Sequence, residues 1–212
     1  MSQSKGTDEI ILVNISGSDR PGVTAALMRI LADYDVRVLD MSQAMVQQNL
    51  ALAILIKLPA ATGTAAVLKD LLFEAHKLDL RVRFQPINAD EYQQWVKGEH
   101  QSAYVLTLLG RRVTAAQIAR IASVTTEYGL NIEDIVRLSA RSPLHDESGD
   151  SRACLELNLR GEPNDADAMK AQFLSISQEM DIDISFQQDN FFRRNRRLVV
   201  FDMDSTLIHE EV

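Results

Sequence analysis

One cysteine, Cys154, stands in a chain of 212 residues. A lone thiol excludes an internal disulfide and any cysteine-based metal site. Its place in the apolar run Ala153-Cys154-Leu155 predicts a small buried hydrophobe. Cations are in the minority too: 22 Lys and Arg face 30 Asp and Glu, a net charge of −8. That balance argues against a nucleic-acid partner, whose phosphates call for a basic face. No apolar run approaches the ~18 residues of a membrane span, so no membrane partner is expected. Residues 1–6 hold no apolar segment of the kind a secretory signal carries, and a cytoplasmic location is the expectation. What remains, 46% hydrophobic and 25% charged residues, is ordinary for a globular chain of one or two domains.

The pattern that fills this chain starts at residues 10–16, Ile-Ile-Leu-Val-Asn-Ile-Ser, a β-rich apolar run that reads as a buried strand. Turn formers interrupt it at Gly17-Ser18-Asp19-Arg20-Pro21-Gly22. Pro21 suits the first turn of a helix, with Ser18 and Asp19 as candidate caps. Val23, Leu27, Ile30, Leu31 and Tyr34 recur at three- and four-residue spacing, an amphipathic helix. Residues 36–47 read as a strand and Asn49 as part of a turn. Leu50, Leu52, Ile54, Ile56 and Leu58 then keep period two up to Pro59. Gly63 precedes a helix through Leu68, Leu71, Leu72, Ala75 and Leu78. Leu80, Val82 and Phe84 alternate with Arg81, Arg83 and Gln85 in a half-buried strand ended by Pro86. The order is β-α-β-β-α-β.

Residues 88–102 are polar and aperiodic, a linker or a short surface helix around 91–95. The pattern then repeats. Residues 104–110 parallel 10–17. Thr114-Ala115-Ala116 with Arg120-Ile121 parallels Thr24-Ala25-Ala26 with Arg29-Ile30, and Tyr128 parallels Tyr34. Successive offsets of 93, 90 and 94 imply a second copy with a loop three residues shorter and a helix four residues longer. A hairpin with arms near 132–141 and 152–160, a helix over 165–180 and a strand through Ile182, Ile184 and Phe186 complete it. A duplicated β-α-β-β-α-β unit is a ferredoxin-like, α+β arrangement. The implied organisation is a domain over 8–88, a linker over 89–102, a second domain over 103–187, a basic solvated linker over 188–197 containing Arg193, and over 198–212 the first strand of an α/β domain.

Ferredoxin-like folds serve many functions, so the loops must decide. The loop Gly17-Ser18-Asp19-Arg20-Pro21-Gly22 resembles the strand-to-helix loop of ACT domains, small-molecule sensors that typically bind amino acids. Backbone N–H groups at a helix N-terminus can hold a carboxylate while Asp19 pairs with an ammonium group. The resemblance makes Asp19, Arg20, Pro21 and Gly22 candidate ligand residues. In the second copy Gly110 is kept but Arg111-Arg112-Val113 departs from the pattern. Gly110 and Asn131 are expected to line a site shared between units. The resemblance implies an amino-acid partner, L-serine, and a homodimer formed through the ACT domains. Other ferredoxin-like roles fit worse: a metal chaperone needs paired cysteines, and an RNA-binding sheet needs exposed aromatic and basic residues.

At the far end, Leu198-Val199-Val200-Phe201 leads into Asp202-Met203-Asp204-Ser205-Thr206. Carboxylates at i and i+2 on an extended chain point the same way, at the strand end where open α/β sheets bind ligands. The string resembles the nucleophile motif of haloacid-dehalogenase-type phosphohydrolases, and most of all that of the phosphoserine phosphatases. That resemblance implies Asp202 as nucleophile, Asp204 as general acid and base, and Mg²⁺ held by the Asp202 carboxylate and the Asp204 carbonyl. Thr206 would brace the loop, and Glu211 would meet the ammonium of the substrate O-phosphoserine, with Glu210 an adjacent competitor. His209 reads as a loop residue. The expectation is therefore the amino-acid-sensing region of a phosphoserine phosphatase, cut just after its nucleophile motif, inactive alone, with 198–212 poorly ordered or borrowed by a neighbour. The residues leave a second reading open, a non-enzymatic amino-acid-binding regulator whose Asp-x-Asp tail has no catalytic role.

Overall fold

A computed structural model describes residues 9–59, 63–98, 101–141, 152–190 and 193. The chain divides into two compact units, Met1–Glu99 and His100–Val212. The first runs β1 (Glu9–Ser18), α1 (Val23–Asp33), β2 (Arg37–Val46), β3 (Asn49–Leu58), α2 (Thr64–Lys77), β4 (Leu80–Ile87) and α3 (Ala89–Gly98). Its antiparallel sheet has the order β2-β3-β1-β4. Period two decides the faces. Ile11, Val13 and Ile15 of β1 and Leu50, Leu52, Ile54, Ile56 and Leu58 of β3 are all buried. They meet Val23, Leu27 and Leu31 of α1 and Val67, Leu71 and Ala75 of α2 in one core. Each such aliphatic side chain contributes about 1.5–3 kcal/mol by leaving water.

Three local expectations shift. Asn49 opens β3, and the reversal falls on Gln47 and Gln48, with Gln47 at φ 56°. Pro86 lies inside β4 instead of ending it, paired with Ile11; β4 is an edge strand, where a missing N–H costs no ladder bond. Leu72 stands 53% exposed, because Val67, Leu71 and Ala75 already fill the buried stripe of α2. The aperiodic stretch after β4 is the helix α3, started by a reciprocal cap: Asn88 Oδ1 accepts from the Glu91 N–H and Glu91 Oε2 accepts from the Asn88 N–H. Tyr92 and Trp95 of α3 share the walls of a cavity of about 400 Å³ with Leu12, Leu55 and Ile87 on the sheet face away from α1 and α2.

The second unit repeats the plan with β5 (Ala103–Gly110), α4 (Ala115–Glu127), β6 (Leu130–Arg137), β7 (Ala153–Gly161), α5 (Ala166–Met180) and β8 (Asp183–Gln188), sheet order β6-β7-β5-β8. Leu106, Leu108, Ile121, Val124, Leu157, Leu159, Met169, Phe173 and Ile176 form its core. Cys154 is half-buried rather than buried; its register neighbour Leu109 and the alternation of β7 put it on the face away from the helices. Arg193 is no solvated linker residue. Its guanidinium donates to Glu156 at 3.0 Å and to Asp189 at 3.4 Å.

The two helix pairs share one device. In the first unit the Tyr34 hydroxyl, just past α1, donates to Asp70 Oδ2 of α2 at 2.6 Å. In the second, Gln172 Nε2 of α5 donates to the hydroxyl of Tyr128, just past α4, at 3.0 Å. The hydrogen bond to Tyr34 holds the Asp70 carboxyl below the usual carboxylate range, and the same bond raises the Tyr34 phenol.

Candidate ligand-binding loop

The 19–22 loop joins the end of β1 to α1. The Asp19 N–H donates to the Gln48 carbonyl at 2.8 Å, fastening the loop to the β2–β3 turn. The Thr24 hydroxyl, in the first turn of α1, donates to Gln43 Oε1 of β2 at 3.3 Å. Neither Ser18 nor Asp19 caps the helix. The N-cap is Gly22, at φ 93° with no side-chain cap bond, so Pro21 sits one residue ahead of the cap and outside the first turn. A left-handed N-cap is open to glycine at little cost and leaves the helix end without a covering side chain. The Ala26 N–H reaches the Gly22 carbonyl at 2.9 Å and the Val23 N–H reaches Arg20 at 3.3 Å. The Thr24 and Ala25 N–H groups have no partner among the described residues. Asp19, Arg20, Pro21 and Gly22 are all exposed, and neither Asp19 nor Arg20 makes an ion pair there. The structure thus brings these four residues together, with charges of both signs that have no ion-pair partner among the described residues, beside open backbone donors at the positive end of a helix.

The corresponding helix start in the second unit is closed. Thr114 is the N-cap of α4 in a full capping box: its hydroxyl accepts from the Gln117 N–H and Gln117 Oε1 accepts from the Thr114 N–H at 2.7 Å. Gln117, 6% exposed, also donates to the Met180 carbonyl at 2.9 Å. The Thr-x-x-Gln string was in the sequence, and it is the signal that the offset of 90 misread. Thr114 corresponds to Gly22, not to Thr24. The two strand-to-helix loops are therefore equal in length, and α4, with 13 residues, is two longer than α1 with 11.

Gly110 and Asn131 do not meet within the second unit. Gly110 pairs with Ala153 at one end of β7, whereas Asn131 pairs with Arg160 near the other. At ~3.4 Å per residue those positions are roughly 24 Å apart along the strand. Asp202, Asp204, Thr206, Glu210 and Glu211 lie outside the described residues. Among the described residues no cluster of three or more His, Cys, Asp or Glu gathers in a way that could hold a metal ion, and no helix is long and apolar enough to cross a membrane.

Comparison with known proteins agrees with this fold. Residues 9–85 and residues 102–187 each match a family model described as an ACT domain. The chain is 32% identical over its full length to a phosphoserine phosphatase of Streptomyces coelicolor, covering 48% of that protein. It is 28% identical over 95% of its length to phosphoserine phosphatase SerB2 of Mycobacterium tuberculosis, covering 46% of it. The chain thus spans about half the length of these curated relatives. In fold it resembles the crystal structure of an unknown protein from Galdieria sulphuraria, with a TM-score of 0.69 at 15% identity over 87% of this chain and all of that one. Two β-α-β-β-α-β units, each carrying its own family match, place the chain in the ACT-domain family, with two ferredoxin-like ACT domains in tandem.

Proposed function

We propose that this chain is the amino-acid-sensing region of a phosphoserine phosphatase, that its ligand is L-serine, and that the parent protein hydrolyses O-phospho-L-serine. The observation that carries the reading is similarity over 95–100% of this chain, and 46–48% of theirs, to two proteins of that name, in a chain built of two ACT domains followed by Asp202-Met203-Asp204-Ser205-Thr206. The open loop supports a zwitterionic ligand. A carboxylate accepts from the free N–H groups at the start of α1 and from Arg20, while Asp19 pairs with the ammonium group. The closed capping box of α4 favours the first unit as the one that reads the ligand this way.

In the catalytic proposal a carboxylate oxygen of Asp202 attacks phosphorus, and the bond from phosphorus to the serine oxygen breaks. Asp204, protonated at the outset, gives its proton to that oxygen. It then takes a proton from the water that attacks the aspartyl-phosphate and releases inorganic phosphate. Carboxylate and carbonyl oxygens suit a hard cation. Mg²⁺ held by Asp202 and Asp204 would offset the charge gathered on the phosphoryl group. Glu211 would hold the substrate ammonium. We also infer a homodimer, supported by an edge strand in each unit, β2 and β6, that carries the exposed apolar residues Val38, Met41 and Val46 or Ile135 and Val136.

Two measurements test the reading. Calorimetry with L-serine should show saturable binding that Asp19→Ala weakens at least tenfold; unchanged affinity removes Asp19 from the site. The full-length protein should release phosphate from O-phosphoserine and lose that activity with Asp202→Asn. Turnover that survives this substitution would leave the alternative of a non-catalytic tail.

A further inference from the structure

Beside the 19–22 loop, where β1 ends, β3 and β4 begin and α2 stops, the first unit holds a half-open cavity of about 540 Å³. Its walls include Ser16, Ser18, Asn49, His76, Asp79 and Arg81; none is among the four candidate ligand residues Asp19, Arg20, Pro21 and Gly22, although Ser18 adjoins them in the chain. Six polar groups around one small volume include a carboxylate and a guanidinium. Asp79 and Arg81 make no ion pair among the described residues, with each other or with any third group.

The backbone builds this cavity. Gly17 lies at φ 156°, and a Cβ there would come within 2.8 Å of Leu80 Cδ2 and 3.1 Å of the Asp79 carbonyl. Only glycine lets the start of β4 close onto β1 at this point. Asp79 is held at φ 56° in the turn after α2, its N–H bonded to the His76 carbonyl at 3.1 Å. Ser16 and Arg81 are register partners across β1 and β4, and Ser18 and Asn49 across β1 and β3, so alternation puts these four side chains on one face of the sheet. Asp79 stands instead at the C-terminal end of α2, the negative end of the helix dipole, which favours a cation.

We propose that this rim cavity is a second binding site of the first unit, taking the zwitterionic head of a small α-amino acid. The carboxylate lies against Arg81 with hydrogen bonds from Ser16, Ser18 and Asn49, and the ammonium lies toward Asp79 and the end of α2. The volume exceeds what a small amino acid fills, so the charged groups and not the size select the ligand. The second unit supplies the internal contrast. At the same register the Ser16–Arg81 pair is replaced by Leu109–Asp183, which removes the cation and adds a carboxylate. The site is thus a property of one copy. It does not rest on the loop reading.

The test is nuclear magnetic resonance on the ¹⁵N-labelled 212-residue chain, titrated separately with L-serine, glycine, glycolate and ethanolamine. The expected result is saturable shifts of the Ser16, Ser18, Asp79 and Arg81 amides at millimolar L-serine or glycine. Glycolate and ethanolamine, each carrying half the charge pattern, should bind at least tenfold more weakly. Arg81→Gln should weaken the amino acids at least tenfold, and the double change Ser16→Leu with Arg81→Asp, copied from the second unit, should abolish the shifts. Both alter exposed positions, and preserved dispersion of the remaining spectrum shows that the fold is intact. Asp19→Ala should leave these shifts in place. Shifts confined to residues 19–22, or an affinity indifferent to Arg81→Gln, overturn the cavity proposal and leave the loop reading standing. No saturable shift anywhere overturns both.

Discussion

The bond from Tyr34 to Asp70 predicts a pH dependence for the stability of the first unit. The hydroxyl bond holds the Asp70 carboxyl low in the folded state, so its contribution is present at neutral pH and is lost as pH falls through the lowered value. The Tyr34 phenol is raised, so its contribution is present below the ordinary tyrosine range and is lost as pH rises through the raised value. The window between is the neutral range. Tyr34→Phe should lower the melting temperature at pH 7 and converge on the parent chain as the pH falls through the lowered Asp70 value. An equal difference on both sides of that value would show that ring packing, not the charged hydrogen bond, is what was lost. The counterpart bond in the second unit, Gln172 to Tyr128, has no carboxylate and should show no such dependence on the acid side. Gly22 gives a second residue-scale outcome. A Cβ there meets nothing within 4 Å, but φ is 93°, so any cost of Gly22→Ala is backbone strain alone. Urea denaturation should find a loss of about 1–2 kcal/mol.

At the scale of the element, α2 separates what pattern reading can and cannot distinguish. Leu71 and Leu72 are both apolar and adjacent, yet Leu71 is 1% exposed and Leu72 is 53% exposed. Leu71→Ala leaves a cavity under the sheet and should cost ~2–5 kcal/mol, whereas Leu72→Ala should stay within about 0.5 kcal/mol. Equal losses would place Leu72 against something that shields it. The same limit explains the helix starts. The Thr-Ala-Ala strings at 24 and 114 look alike, but a threonine hydroxyl competes well as a cap, and Gln117 three residues on completes the box. Gly22 holds the same position in α1 but has no side chain to accept from the first-turn N–H groups. Identical strings therefore sit at different heights in their helices, and one N-terminus is closed while the other stays open.

At the scale of the molecule, each unit draws its core from its own residues, 11–84 in the first and 104–186 in the second. Residues 1–99 expressed alone should therefore unfold in one cooperative transition. A gradual, non-cooperative melt would show that the first core is incomplete. The homodimer belongs to this scale as well: sedimentation should give twice the 23.7 kDa chain mass. Val46→Lys on the exposed edge of β2 should shift that mass toward the single chain by placing a charge where strands would pair.

The sequence by itself determined the duplicated β-α-β-β-α-β order and the buried faces. Five aliphatics at strict alternation in β3, and apolar residues three and four apart in α1, can bury themselves in only one way each. It also carried the Asp19, Arg20, Pro21 and Gly22 loop, because a run of turn formers between a strand and a helix is a local signal. Tertiary structure decided the rest. The opposite ends occupied by Gly110 and Asn131, the joining of Ser16, His76 and Arg81 around one volume, and the return of Arg193 to Glu156 all depend on which strands pair and in what register. Register is set by long-range burial, and no spacing along the chain encodes it.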